Sequence, residues 1–81
     1  MQVFIWFVRK DTGLPDNSMP KQSVETVEKA IELIRAHKAG ANGNGHYLKV
    51  FASGGQLSSS DQAKLLAAGA EVSDEFLPDA R

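Results

Sequence analysis

Two stretches of this chain carry residue types that could do chemistry. The first is FASGGQLSSSDQAKLL, residues 51–66. It passes from an apolar strand-like segment through Gly54-Gly55 and three serines into a helix-like segment. Glycines ahead of a helix start let backbone N–H groups close on an anion. The motif is incomplete, however. No lysine follows the glycines at the spacing of a G-x-x-x-x-G-K-[ST] loop, and no G-x-G-x-x-G exists. Ser59-Ser60-Asp61-Gln62 instead fits a capping box, with Ser59 as N-cap and Gln62 at N3. Asp61 suits the positive helix end and would repel a bound anion. A turn followed by a cap is the stronger reading of these residues.

The second stretch is DTGLPDNSMP, residues 11–20, dense in turn formers. In an open sheet of parallel strands, ligands sit outside the carboxyl ends of the strands. That rule brings Asp11, Thr12, Asp16 and Asn17 towards Ser53, Gly54, Gly55, Ser58 and Ser59. Such a set suits a hydroxylated or phosphorylated small ligand, or a divalent cation held by one or two carboxylates. The same residues are also ordinary loop chemistry.

The remaining patterns assign little. His37 and His46 lack an H-x-x-x-H or H-x-E spacing and read as structural. No G-x-S-x-G elbow positions a serine for a catalytic triad. No catalytic residue, metal ligand or cofactor is therefore assigned. The second glycine set, Gly40, Gly43 and Gly45, reads as a helix stop and linker. Tyr47, Lys49 and Phe51 alternate onto one strand face, where aromatic rings and a cation could meet a partner or stack bases. The signature K/R-G-F/Y-G/A-F-V-x-F/Y is missing, and Glu25, Glu28 and Glu32 would oppose a phosphate backbone.

Bulk composition narrows the classes. Eighty-one residues suit one small α/β domain over 1–81, with an acidic tail at 73–81. Net charge is −1, without the basic excess usual in a nucleic-acid module. There is no cysteine, which excludes disulfides and thiolate chemistry and favours a cytoplasmic setting. The apolar run at 2–8 is too short to span a membrane.

The elements that must position these residues follow from periodicity. QVFIWFVR, residues 2–9, reads as a strand buried on both faces. Residues 21–39 place Val24, Val27, Ile31 and Ile34 at helical spacing, with Ser18 or Ser23 as cap. HYLKVFA, residues 46–52, alternates as an edge strand. Residues 60–68 read as a short helix stopped by Gly69, and 70–72 as a last strand. This order predicts a three-stranded, mostly parallel β-α-β-α-β sheet of spatial order 2-1-3, with helices on both faces. The alternative is a ferredoxin-like β-α-β-β-α-β fold, with a strand at 56–58 and both helices on one face.

The expected function is that of a small interaction or regulatory protein acting by protein–protein association, without catalysis and with no membrane partner. Tyr47, Lys49, Phe51, Phe76 and Leu77 are its expected interface, with a second copy as one partner. The alternatives are a small-ligand or phosphate binder at the sheet edge, and a nucleic-acid binder using Tyr47, Lys49 and Phe51.

Overall fold

The computed structural model describes residues 2–40 and 45–75. Six elements follow one another: β1 (Gln2–Arg9), β2 (Gln22–Val24), α1 (Val27–Ala39), β3 (His46–Ser53), α2 (Ser59–Ala68) and β4 (Ala70–Val72). They form one four-stranded sheet of order β2-β1-β3-β4. β1 is antiparallel to both β2 and β3, while β3 and β4 are parallel. β2, β3 and β4 therefore run the same way, with β1 set against them.

This mixed sheet overturns the expected three-stranded parallel one, and the reason lies in residues 10–24. A turn after β1 sends the chain back along it: Gly13 N–H donates to Arg9 O and Arg9 N–H to Leu14 O. Val8 bridges to Pro15, and β2 then pairs Val24 with Val3 and Gln22 with Ile5. An unpaired edge on so apolar a strand leaves backbone groups unsatisfied, and a local hairpin covers it. The crossover through α1 thus starts from β2 rather than β1. Both crossovers, β2-α1-β3 and β3-α2-β4, step in the same direction along the sheet. With a common hand, both helices must then lie on one face. The one-sided layering is that of the alternative fold, but its element order is not. Residues 56–58 form no strand, and the extra strand lies at 22–24.

Recruiting residues 22–24 into the sheet also shortens the first helix. Thr26, rather than Ser18 or Ser23, caps it, accepting from the Lys29 N–H at 3.2 Å. α2 starts one residue earlier than expected. Ser58, not Ser59, is its cap, accepting from the Asp61 N–H at 3.0 Å, while Gln62 donates to Leu57 O. Gly69 ends α2 at φ +103°, a left-handed position where a Cβ would also meet Lys38 of α1.

The core lies between the sheet and the two helices. Val3, Ile5 and Phe7 of β1 and Leu48 and Val50 of β3 meet Val27, Ala30 and Ile34 of α1, Leu65 of α2 and Ala70 of β4. The alternate residues of β1 point to the other face, where Trp6 and Val8 are nonetheless buried. β1 is therefore buried on both faces, as its continuous apolar run requires. No helix of the described residues is long and apolar enough to cross a membrane.

Candidate functional site

The antiparallel pairing of β1 with β3 decides where the expected site residues go. Gln2 pairs with Ser53, and Arg9 with His46, so the end of β1 lies beside the start of β3. Asp11, Thr12 and Asp16 accordingly sit at one end of the sheet. Ser53, Gly54, Gly55, Ser58 and Ser59 sit at the other, about 25 Å away by strand rise. The structure does not bring the two groups together.

At the Ser53 end, Gly54 takes φ +82° and releases the chain from β3. A depression of about 350 Å³ opens among Phe51, Gly55, Gln56, Gln62, Ser73 and Asp74. Among the described residues no cation lines it, Asp74 does, and the nearby Asp61 N–H is already taken by Ser58. That chemistry does not favour an anion.

At the Asp16 end the arrangement is tighter. Asp16 N–H donates to Phe7 O, which places Asp16 beside Phe7 on the helix side of the sheet. One carboxylate oxygen, Oδ1, accepts from Ser18 N–H at 2.9 Å and Ser18 Oγ at 2.7 Å. The other, Oδ2, accepts from His46 Nε2 at 2.8 Å, across 30 residues of chain. These donors hold the Asp16 carboxyl well below the usual carboxylate range, with the His46 bond the largest cause. Because an ionised carboxylate only accepts, it holds a proton on His46 Nε2 whatever the charge of the ring, and in the neutral ring the lone pair falls on Nδ1. His37, in the last turn of α1, packs beside it. The two ring centroids are 5.2 Å apart, and Phe7 closes the cluster 4.7 Å from His37. His37 Nε2 and His46 Nδ1 are both buried without a hydrogen-bond partner. Burial, then the charges of His46 and Lys38, push the His37 pKa down from its usual value. Sequence spacing misses this cluster, since Asp16, His37 and His46 do not stand at motif intervals. The only signal was a histidine opening an otherwise apolar strand face. Among the described residues, no group of three or more His, Asp or Glu side chains is placed to hold a metal ion.

The third region is the face of the sheet that carries no helix among the described residues. Its rows run Phe4 opposite Phe51, Trp6 opposite Lys49 and Val8 opposite Tyr47. Glu71 of β4 lies beside Lys49. Phe4 and Trp6 rings stand 6.1 Å apart, and Lys10 Nζ lies 5.3 Å from the centroid of the Tyr47 ring. Tyr47 is 47% exposed, while Lys49 and Phe51 are half-buried. The three residues expected as an interface thus share one face. Phe76 and Leu77, expected beside them, lie outside the described residues. In comparisons with known proteins the chain matches no family model, no curated protein and no solved structure.

Proposed function

We propose that this protein acts by protein–protein association through the helix-free face of its sheet, with a second copy of itself as the simplest partner. The observation that carries this reading is the one-sided layering. A sheet with both helices on one side presents Phe4, Tyr47 and Phe51 on the other. Aromatic residues are enriched in protein interfaces, and a chain of this length gains burial by pairing. The face also suits itself. Lys49 and Glu71 are register neighbours. A two-fold axis near them sets each lysine against the partner copy's glutamate.

Sedimentation over a concentration series tests this. The mass should rise above the 8.7 kDa of one chain. Tyr47→Glu, at an exposed position, should return it to one chain without loss of folding. A constant single-chain mass, with unmoved amide signals at residues 47, 49 and 51, overturns the reading.

One observation favours a second reading, single-stranded nucleic acid on the same face. Lys10 beside Tyr47 pairs a cation with an accessible ring, as base-stacking surfaces do. The net charge of −1 speaks against it. Salt-dependent shifts of Lys10, Tyr47 and Phe51 on adding an oligonucleotide would favour it over self-association.

A further inference from the structure

We infer that His37 and His46 form a two-imidazole site for a divalent transition-metal ion, with Asp16 as the positioning residue. The argument begins with the unpaired nitrogens. A buried polar atom without a partner is costly, so two of them on adjacent rings call for an explanation. His46 is only 7% exposed, and Asp16 already holds its Nε2 proton, so its Nδ1 lone pair has nothing to accept. A carboxylate on one ring nitrogen with the other nitrogen left basic is the arrangement that supports metal-ligating histidines.

The spacing agrees. A Zn–N bond of about 2.0–2.1 Å puts an imidazole centroid about 3.2 Å from the ion, so two rings at a tetrahedral angle have centroids about 5 Å apart. The observed separation is 5.2 Å, with the rings inclined at 55°. Imidazole ligands select zinc, copper or nickel over magnesium and calcium, which prefer oxygen. Both ligating nitrogens are buried, so a bound ion would draw its remaining ligands in past the half-buried His37 ring at the end of α1. Such an ion would tie the last turn of α1 to the first residue of β3.

The test uses the whole chain and Zn²⁺ alone, followed by the ring ¹⁵N signals of both histidines. Zn²⁺ should move His46 Nδ1 and His37 Nε2 together and saturably, and Mg²⁺ should move neither. At a hundredfold excess over Kd, Tm should rise by roughly 10–20 °C. His37→Gln should abolish both effects. Asp16→Asn is the sharper variant. Ser18 donates two hydrogen bonds to Oδ1, so the amide nitrogen must take the Oδ2 position and donate to His46 Nε2. The ring proton then moves to Nδ1 and blocks the metal, and zinc affinity should fall by about tenfold or more. Ring signals unmoved by Zn²⁺ overturn the site. An Asp16→Asn protein that binds zinc as tightly as the parent overturns the role of Asp16.

Discussion

The two ends of the sheet are built from the same kinds of residue and use them in opposite ways. At the carboxyl ends of β3 and β4, the hydroxyl groups serve their own neighbourhoods. Ser58 caps the Asp61 N–H three residues on, and Ser73 bonds to Glu75 two residues on. At the other end, Asp16 gathers Ser18 from its own turn and His46 from across the fold. The serines after β3 and β4 satisfy local backbone, whereas the Asp16 cluster joins a loop, a strand and a helix. A glycine-serine stretch that looks like chemistry is thus turn and cap, while the non-local cluster has no motif at all.

The comparison can be broken or sharpened by substitution. The largest effect is expected at the joined end. His46→Ala removes a buried ring and its bond to Asp16, and should lower unfolding free energy by about 2–4 kcal/mol. Urea denaturation measures this, and a loss under 1 kcal/mol would mean the cluster holds nothing together. A smaller effect is expected at the local end. Ser58→Ala should cost about 1 kcal/mol, the ordinary value of an N-cap, with hydrogen exchange quickening only in the first turn of α2. Exchange that also quickens in β1 would show this end to be coupled after all.

The smallest effect is in pH. Asp16 and His37 both have folded pKa values below their ordinary ones, so the unfolded chain binds more protons than the folded one across each window. Their contributions are complete above pH 6.5, the ordinary histidine value, and fall with acid. The His37 part goes first below 6.5, and the Asp16 part goes below 3.8. Urea midpoints against pH should show both stages. His37→Gln should remove the upper one and Asp16→Asn the lower. Midpoints that rise on acidification through either window would reverse the sign assigned here.

The same contrast explains what was legible in the sequence. β1, β3, α2 and β4 announce themselves, because their patterns arise from neighbours a few residues apart. So does the left-handed stop at Gly69. The position of Ser58 as cap was missed by one residue, since three consecutive serines offer equivalent hydroxyls. The strand Gln22–Val24 was hidden because Val24 also fits the helical stripe of Val27, Ile31 and Ile34. Only the free edge of β1 decides its fate. That one strand reverses the chain, sets β3 antiparallel to β1 and moves the first loop to the far end of the sheet. The ligand set expected at one edge was divided by the same event. The shared face of Tyr47, Lys49 and Phe51 needed only strand alternation, and so was readable.

The central place of β1 has a consequence during synthesis. Its QVFIWFV run has seven residues without charge, proline or glycine, the composition of a segment that stacks with copies of itself. One edge is covered early, by Leu14–Asp16 beside Phe7–Arg9 and by Gln22–Val24 beside Val3–Ile5. The other edge waits for His46–Ser53, some forty residues further along the chain. Ribosomes crowded on one message would hold several such edges close together. Until β3 arrives, that edge is open to pairing with another copy, and the pairing of β3 with β1 is what closes it.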